Sequence, residues 1–464
     1  MSMSSRLDPS FSIAIIGASI AGLALAIGLR KQNAACKYTI YEAAPQFDAV
    51  GSGIGMGPNA LRAMELMDAG FAELYGRIKV GNACGDRRHE QFEILSAAQG
   101  FGALDGWRGG SVSHRDFERS SGHRQALLEV MSALVPDGTV QFDRRVMGVE
   151  YVEGQTRVCL AFSGGEACVM VDAVVGCDGI KGVTRRVVLE MEYPEEIVAK
   201  YCRTYVYRNI VPMQEAKRIL GSYADNAKWF MGEGRGGVMY AISKGEEVNV
   251  VVFIQDERPW VGEQAAMQVS REDMLSDFNG FDKRLLGLLD VRLGVFFFLF
   301  FFFFRSIDMY IYIYEQSTKP LRWPLFHHPD TSTFYRGHVF LLGDSAHASS
   351  PSQAAGAGLG LEDALVMSRL LGVVKKPEQL EGAFGVYNSI RQPGAQAVVQ
   401  GSQEALLAYF LVHAEFGHDI QNLTDYANTR LSLIWFHDLE GDVKTAGQRF
   451  RELTEAAQPD NREQ

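Results

Sequence analysis

Three short segments of the chain carry residue types that bind phosphate and sugar groups. They are Gly17 to Gly22 (GASIAG) near the start, Cys177-Asp178-Gly179 in the middle and residues 343–347 (GDSAH) late. The first follows an apolar run, residues 11–16, that predicts a buried strand, and it opens an alanine-rich stretch, residues 21–29, that predicts a helix. At such a junction, backbone N–H groups and the partial positive charge of the helix N-terminus bind a pyrophosphate.

The first segment has the spacing of a dinucleotide-binding turn, with one departure. Gly17 and Gly22 occupy two of the usual glycine positions, but the middle position is Ser19. Twenty residues after Gly22, at the end of a second predicted strand, Glu42 stands where a carboxylate accepts a hydrogen bond from a ribose hydroxyl. Ala43 follows it and belongs to the same predicted site. Strand, turn, helix and acid together predict a bound dinucleotide.

Two further features have an ordinary structural alternative. Residues 51–60 (GSGIGMGPNA) alternate glycines, including Gly55, which is typical either of backbone lying against a flat ligand or of a flexible loop. Residues 122–128 predict the start of an amphipathic helix on which Arg124 reaches a phosphate or ribityl oxygen. A solvated surface arginine is the commoner fate of that residue type.

The remaining two segments each follow a predicted apolar strand. Residues 171–176 lead into Asp178 and Gly179 at the carboxyl end of a strand, where ligands bind in open α/β sheets, although an Asp-Gly pair alone is also typical of a plain turn. Residues 339–342 lead into Asp344.

After Asp344 the chain passes Pro351 and enters a predicted helix, residues 359–371, through Gly356-Ala357-Gly358. Glycines at a helix start leave its N–H groups open to an anion or a carbonyl. The same segment contains His347, which we expect to brace the turn before Pro351.

Composition narrows the class of protein. The 464 residues suggest two to three domains, and 47% hydrophobic with 22% charged residues is typical of an ordinary globular protein. A net charge of −11 argues against nucleic acid and anionic membranes as partners. The six cysteines have neither C-x-x-C nor metal-ligand spacing, which predicts no metal site and a reducing, cytoplasmic setting. Residues 1–10 lack the layout of a signal peptide.

One segment is anomalous. Residues 294–304 (GVFFFLFFFFF) form part of a 12-residue uncharged run, which is shorter than the roughly 17 to 25 residues that a membrane span needs. A strand of this composition is prone to aggregate. We favour a genetic explanation, a translated intron covering Val291 to Gln316, because the flanking residues can be encoded by splice-site-like strings and poly-Phe by a pyrimidine tract.

The three motifs in this order resemble those of the single-component FAD-dependent aromatic hydroxylases, the family of para-hydroxybenzoate and salicylate hydroxylases and of fungal phenol monooxygenases of polyketide pathways. The resemblance covers about residues 11–290 and 318–400, and it departs at Ser19 and at 291–316. It implies an α/β fold, with a Rossmann-like FAD-binding domain of the para-hydroxybenzoate hydroxylase type, an inserted substrate domain that is mainly β-sheet, and C-terminal helices.

The resemblance also implies a division of the chain. The predicted ranges are 11–185 for the first part of the FAD-binding domain with substrate-domain segments around 78–112, 186–290 for the substrate-binding sheet, 291–316 for the insertion, 317–375 for the second part of the FAD-binding domain and 376–464 for C-terminal helices and tail. Apolar or alternating runs at 199–211, 237–243 and 247–255 agree with a sheet.

By resemblance, FAD is the cofactor and NAD(P)H a co-substrate that binds transiently. Glu42 would bind the adenosine ribose, Arg124 and Asp344 the ribityl-pyrophosphate region, and Asp178-Gly179 both the flavin and the passing nicotinamide. The full set of predicted cofactor-binding residues is Gly17, Ser19, Gly22, Glu42, Ala43, Gly55, Arg124, Asp178, Gly179, Asp344, Pro351, Gly356, Ala357 and Gly358.

The resemblance implies that a reduced flavin reacts with O2 to a C4a-hydroperoxide, which hydroxylates a phenolic or salicylate-like ring in secondary metabolism. Arg208 and Tyr240 resemble the pair that fungal relatives direct at the phenolate, and an arginine lowers a phenol's pKa and binds its oxygen. A salt-bridged strand arginine and a packing tyrosine are the structural alternatives. The adjacent His327 and His328 are left out of the catalytic set.

Three matters stay open in the sequence. Oxidative decarboxylation of a hydroxybenzoate differs from simple hydroxylation only in where the carboxylate sits. A catalytically silent, mis-spliced flavoprotein is the alternative from another class. The C-terminal helices are expected to be scaffold or the face of a homodimer.

Overall fold

The computed structural model describes residues 11–47, 53–107, 109–152, 156–165, 167–261, 265–291 and 320–457. It is a mixed α/β fold with two principal sheets and helices at the C-terminal end, so the predicted fold class is confirmed. The cores of the two sheets meet at a cavity that the predicted motifs surround.

The strands range from two residues to the 13 residues of β12. In chain order they are β1 (Phe11–Ile16), β2 (Cys36–Tyr41), β3 (Gly53–Gly55), β4 (Glu90–Ser96), β5 (Ser111–Ser113), β6 (Ser121–His123), β7 (Val140–Gln141), β8 (Val146–Tyr151), β9 (Val158–Phe162), β10 (Val169–Val171), β11 (Ala173–Gly176), β12 (Lys200–Pro212), β13 (Lys228–Gly232), β14 (Arg235–Ile242), β15 (Glu247–Gln255), β16 (Met267–Gln268), β17 (Leu321–His327), β18 (Tyr335–Arg336) and β19 (Val339–Leu341).

The α-helices flank the sheets and close the C-terminal end. They are α1 (Ile20–Gln32), α2 (Pro58–Met67), α3 (Ala69–Gly76), α4 (Arg124–Ala133), α5 (Val183–Leu189), α6 (Met213–Leu220), α7 (Arg271–Asp277), α8 (Lys283–Asp290), α9 (Asp344–His347), α10 (Gly356–Leu371), α11 (Leu380–Tyr409), α12 (Ile420–Trp435) and α13 (Leu439–Ala456). Within the described ranges, no helix is both long and apolar enough to cross a membrane.

The first sheet has the order β18-β19-β11-β1-β2-β7, and its central strands are parallel. The carboxyl ends of β1, β11 and β19 therefore lie along one edge, where the three predicted motifs begin. Helix α1 is buried from Ala21 to Leu29. It packs closely on α10 at Gly28, where an added Cβ would lie 2.4 Å from the Ser368 hydroxyl oxygen. This packing holds the two helix N-termini side by side.

The second sheet has eight strands in the order β16-β17-β12-β15-β14-β13-β4-β5. Alternation along β12 sends Tyr205 and Tyr207 into the core under α6 to α8, whereas Val206 faces the C-terminal helices. Arg208 has the same parity as Val206, and both line the cavity.

The structure differs from the sequence prediction at several element boundaries, among them the start of α10, which lies at Gly356 and not at residue 359. The predicted strand 171–176 is split at Asp172, whose carboxylate accepts hydrogen bonds from the Ser12 amide and hydroxyl, each at 2.7 Å. Gly122 and His123 belong to β6 rather than to a helix, because they pair with β3, and α4 begins at Arg124.

The division into domains stays a prediction. Strands β4 and β5 join the eight-stranded sheet, as do β12 to β15, and so does β17, which lies within the predicted range 317–375. Strand β17 belongs there because it pairs with β12 in antiparallel register. The proposed insertion lies outside the described residues except for Val291, whose carbonyl accepts a hydrogen bond from the Asn209 amide at 3.2 Å.

Helix α11 ties the two sheets together. Its first half packs into the core of the parallel sheet through Phe384 and Tyr387. Its last turns pack on the second sheet, where the ring centroid of Tyr409 lies 4.5 Å from that of Trp229. This helix thus connects the cores of the two sheets between which the cavity lies.

Candidate active site

The cavity has a volume of about 430 Å³ and lies between the edge of the parallel sheet and one face of the eight-stranded sheet. Ten of the predicted site residues line it: Ser19, Gly55, Arg124, Gly179, Arg208, Tyr240, Asp344, Pro351, Gly356 and Ala357. Six others are not part of the lining, namely Gly17, Gly22, Glu42, Ala43, Asp178 and Gly358. The motifs that are far apart in sequence therefore meet at one site, and the role of each residue stays a prediction.

The turn between β1 and α1 is shaped by its glycines. Gly17 has a φ of +102°, and a Cβ there would lie 2.5 Å from the Cys177 carbonyl oxygen. A Cβ on Gly22 would lie 2.2 Å from the Gly17 carbonyl oxygen. Ser19 caps α1 by accepting a hydrogen bond from the Gly22 amide at 3.3 Å. The two glycines thus build the turn, while Ser19 faces the cavity.

Glu42 braces the same turn from the end of β2. Its carboxylate accepts hydrogen bonds from the Ala18 amide at 2.7 Å and from the Ala44 amide at 2.8 Å. The side chain is half-buried, and each carboxylate oxygen keeps a further lone pair that can accept from a ribose hydroxyl. Ala43 lies between Glu42 and Ala44 in the loop that this carboxylate holds.

Asp178 and Gly179 have different surroundings although they are adjacent. The Asp178 carboxylate accepts hydrogen bonds from the Thr184 hydroxyl at 2.5 Å and the Thr184 amide at 3.1 Å. Burial raises the pKa of Asp178, and the hydrogen bonds from Thr184 oppose this rise. Gly179 has a φ of +78°, and a Cβ there would meet open space, so backbone is exposed to the cavity at this point.

The late motif supplies the other side of the cavity. Asp344 begins α9 and is exposed, and Pro351 begins a short 3-10 helix (Pro351–Gln353) that is followed by its C-cap Ala354, a non-glycine residue with a φ of +50°. Helix α10 follows from Gly356, and Ala355 before it provides no side-chain cap. Its first N–H groups are thus left for another acceptor.

Gly358 packs instead of lining the cavity. A Cβ there would lie 3.0 Å from the Asn59 amide nitrogen, so the glycine permits α10 to approach α2. The same Asn59 amide donates to Glu362 at 2.6 Å.

Arg124 is the first residue of α4, and it lines the cavity. No hydrogen bond or ion pair to it is found among the described residues. A guanidinium in this state is available to a phosphate or a ribityl oxygen.

The lining fits an FAD cofactor. The side chains on it that carry a charge at neutral pH are three arginines and one carboxylate, Asp344, and the N-termini of α1 and α10 both reach it. A diphosphate carries negative charge, which these helix termini and guanidinium groups stabilise. The start of α10, which has no side-chain cap, and the open backbone at Gly179 leave space and N–H groups for the flat ring system of the flavin.

Arg208 and Tyr240 lie on the sheet face opposite these motifs. They sit on strands β12 and β14, which both pair with β15, where Arg208 is opposite Val251 and Tyr240 is opposite Asn249. Arg208 has no carboxylate partner within the described ranges, and its guanidinium carbon lies 5.8 Å from the Trp323 ring centroid. Burial lowers the pKa of Arg208, and Tyr240 opposes this effect.

Tyr240 is held protonated by its surroundings. Burial raises the pKa of its hydroxyl above the usual value, and the positive charges of Arg119 and Arg208 oppose the rise. A tyrosine hydroxyl with a raised pKa donates a hydrogen bond at neutral pH.

Sequence reasoning missed the residues that complete this face. The apolar wall is formed by Phe92, Trp229, Val238 and Phe253, and it is joined by Arg119. No sequence motif marks these apolar residues, since any half-buried sheet presents residues of this type. Arg119 carries only the signal of an arginine before a short strand, which is typical of a surface residue.

The histidines lie away from the cavity. His347 is fully buried, and its Nε2 lies 2.5 Å from the Asp363 carboxylate under α10. Burial is the main cause that lowers the pKa of His328 to about 3, and the positive charge of Arg185 acts in the same direction. The His328 Nε2 lies 3.1 Å from the Ile180 carbonyl oxygen. Neither side chain is part of the lining.

Comparison with known proteins agrees with this site. The family described as "FAD binding domain" matches residues 322–402. An FAD-dependent monooxygenase of Gibberella moniliformis is 36% identical, over 95% of this chain and 97% of that protein. A salicylate hydroxylase of Pseudomonas putida is 30% identical over 95% of both chains, and 6-methylsalicylate 1-monooxygenase of Aspergillus terreus is 29% identical over 96% of this chain and 93% of that protein.

A solved structure, a salicylate hydroxylase in a substrate complex, shares the fold. It has a TM-score of 0.77 and 24% identity, and the match covers 95% of this chain and 98% of that one. The relatives above match almost end to end, and their match includes the segments that build the cavity. The chain therefore belongs to the FAD-dependent monooxygenases.

Proposed function

We propose that the protein hydroxylates a phenolic or salicylate-like aromatic compound in secondary metabolism, with NAD(P)H and O2 as co-substrates. The observation that carries this proposal is the pair Arg208 and Tyr240 on the cavity wall, for which the described residues supply no carboxylate partner. The names of the relatives from Pseudomonas putida and Aspergillus terreus, salicylate hydroxylase and 6-methylsalicylate 1-monooxygenase, support the same substrate class.

The residues for the cofactor are the turn before α1, Glu42, Arg124 and the start of α10. FAD, when bound, accepts electrons from NAD(P)H and activates O2 for attack on an electron-rich ring, chemistry that no side chain supplies. The protein positions the aromatic ring of the substrate relative to the cofactor. We assign the substrate and the cofactor to the same cavity. Gly179 leaves the backbone open on the cofactor side.

Arg208 and Tyr240 bind the phenol oxygen of the substrate in this proposal. The guanidinium stays charged at neutral pH, so it stabilises the phenolate, and the phenol proton leaves to solvent. The Tyr240 hydroxyl donates a hydrogen bond to the same oxygen. A phenolate directs electron density to its ortho and para positions, and two fixed donors orient the ring so that one of these carbons faces the cofactor.

The apolar wall limits water. Phe92, Trp229 and Phe253 are nearly fully buried, and the Trp229 and Phe253 rings stack with centroids 5.4 Å apart. Such a wall packs against an aromatic ring and strengthens the charged interactions by excluding solvent. It fits a substrate that is flat and apolar apart from its oxygen groups.

The test is substrate-dependent NAD(P)H consumption by the purified yellow protein, with product analysis. Arg208→Gln is expected to lower kcat/KM by about tenfold to hundredfold, since a hydrogen bond to a charged group is worth about 1.5–3 kcal/mol. Arg203→Gln is the matched control, because Arg203 lies on the same strand but is not part of the cavity lining and is paired with Glu257 at 2.8 Å. A yellow protein that forms no hydroxylated product from any phenol or hydroxybenzoate contradicts the proposal. Product analysis also separates simple from decarboxylative hydroxylation.

We also propose a cytoplasmic location, which the six cysteines support because all are free. A homodimer stays a prediction, and light scattering of the purified chain measures it.

A further inference from the structure

Arg119 is an unassigned cation in the cavity wall. It precedes β6, only 4% of its surface is exposed, and it lines the cavity. Its amide donates to the Arg88 carbonyl oxygen at 3.0 Å, and its Nη1 donates to the Gln91 carbonyl oxygen. The guanidinium is therefore held in place at the start of β4.

No acidic side chain among the described residues balances the positive charge of Arg119. No carboxylate of the described residues pairs with it, and its buried Nε has no hydrogen-bond partner there. Burial lowers its pKa to about 10, with Tyr240 and Tyr75 opposing, so it remains a cation at neutral pH. A buried cation without a partner costs several kcal/mol, which an anionic ligand would offset.

The position of Arg119 points to the substrate rather than to the cofactor. Its guanidinium carbon lies 4.7 Å from the ring centroid of Tyr240, on the face of the eight-stranded sheet. Arg208 also acts on Tyr240, because both arginines oppose the rise of its pKa. Two cations beside one tyrosine suit a ligand with two neighbouring anionic groups.

We infer that Arg119 is a specificity-determining residue that binds the carboxylate of a 2-hydroxybenzoate-type substrate, while Arg208 and Tyr240 bind its phenolate. This inference rests on the proposed function and narrows its substrate class from phenols in general to phenols with an adjacent carboxylate. A guanidinium binds a carboxylate through two parallel hydrogen bonds, and Nε with one Nη forms such a fork.

The inference is tested by titrating the FAD-bound protein with salicylate, salicylamide and phenol, followed by the change in flavin absorbance. In the wild type we expect salicylate to bind at least about tenfold more tightly than the uncharged salicylamide. Arg119→Gln should raise the Kd of salicylate by about tenfold to hundredfold and change the Kd of phenol by less than about threefold. Arg119→Lys, which keeps the charge, should recover part of the salicylate affinity.

The control is Arg115→Gln, because the Arg115 side chain is 89% exposed and pairs with Asp116 at the surface. Equal weakening of salicylate and phenol by Arg119→Gln would assign Arg119 to the packing of Tyr240 and overturn the inference. Loss of bound FAD in both Arg119 variants would assign it to the cofactor, with the same consequence.

Two results with the wild-type protein alone test the inference and the proposed function separately. Equal affinities for salicylate and salicylamide overturn the inference but leave the proposed function standing, since a phenol still binds. No binding of any of the three ligands overturns the proposed function itself.

Discussion

Replacing Gly22 by alanine is expected to damage the dinucleotide turn. The added Cβ would lie 2.2 Å from the Gly17 carbonyl oxygen, whereas ordinary contact begins at 3.4 Å, so the two backbones must separate by about 1.2 Å. Neither neighbour is free to move, because α1 is buried from Ala21 to Leu29 and the Gly17 amide donates a hydrogen bond to the Tyr41 carbonyl oxygen at 2.8 Å. The Ser19 cap, which bonds the Gly22 amide, is lost with that movement.

The magnitude follows from three terms. Overpacking costs about 1–3 kcal/mol, and loss of the cap costs about 1 kcal/mol. The better helix propensity of alanine returns about 1 kcal/mol, which leaves a net loss of about 1–3 kcal/mol. Because the displaced N–H groups are those assigned to the pyrophosphate, we also expect the Kd of FAD to rise by at least about tenfold, or 1.4 kcal/mol.

The assay is titration of FAD into the apoprotein, with denaturant unfolding of the same samples. Gly447→Ala in α13 is the control, since a Cβ there meets nothing within 4 Å and should stabilise the helix by about 0.5–1 kcal/mol. If Gly22→Ala binds FAD within twofold of the wild type and unfolds like the control, the turn is not packed as described and the reasoning fails.

Three other outcomes are expected. Arg391→Gln should destabilise the protein by about 3–5 kcal/mol in denaturant unfolding, because it removes the guanidinium that lies 2.5 Å from the buried Glu362 carboxylate and 3.0 Å from that of Asp363, and leaves Asp363 with His347 alone; an unchanged midpoint would refute this. Burial disfavours the charge of His347, but Asp363 outweighs burial and raises its pKa. The charged His347 therefore adds to the free energy of unfolding below pH 6.5, and this contribution is lost as the pH rises through the raised pKa of the folded state. Unfolding curves of His347→Asn at several pH values should not show this loss. Deleting residues 291–316 should leave flavin absorbance and FAD content intact if the segment is a translated intron; a colourless deletion variant would count against that hypothesis.

Much of the parallel sheet was predictable from the sequence, because its signals are local. The apolar run before Gly17, the spacing from Gly22 to Glu42 and the glycines before α10 each depend on residues that are close in the chain. The exception at Asp172, which splits a predicted strand, arises from a side chain that bonds to the distant Ser12. Such a contact has no signature in local periodicity.

The eight-stranded sheet was less predictable for the same reason. Strand β17 joins it by pairing with β12, more than a hundred residues earlier, and no local pattern specifies that partner. The alternation along β12 does separate Arg208 from Tyr207, whose hydroxyl donates to Asp277 at 2.6 Å on the other face. Alternation alone, however, does not say which face adjoins the cofactor.

The distribution of charge explains why the cavity, and not the surface, selects the ligand. The chain as a whole carries −11, so an aromatic acid gains nothing from long-range attraction to it. Salt screens such fields beyond about 8–10 Å, whereas a buried guanidinium acts at hydrogen-bond distance in a medium that screens less. Arg119, Arg124 and Arg208 concentrate positive charge on the lining, where Asp344 is the one acid among the described residues. In the proposed function, recognition of an anionic ring depends on these few groups on the cavity lining, so a single substitution among them should change specificity more than any change in surface charge.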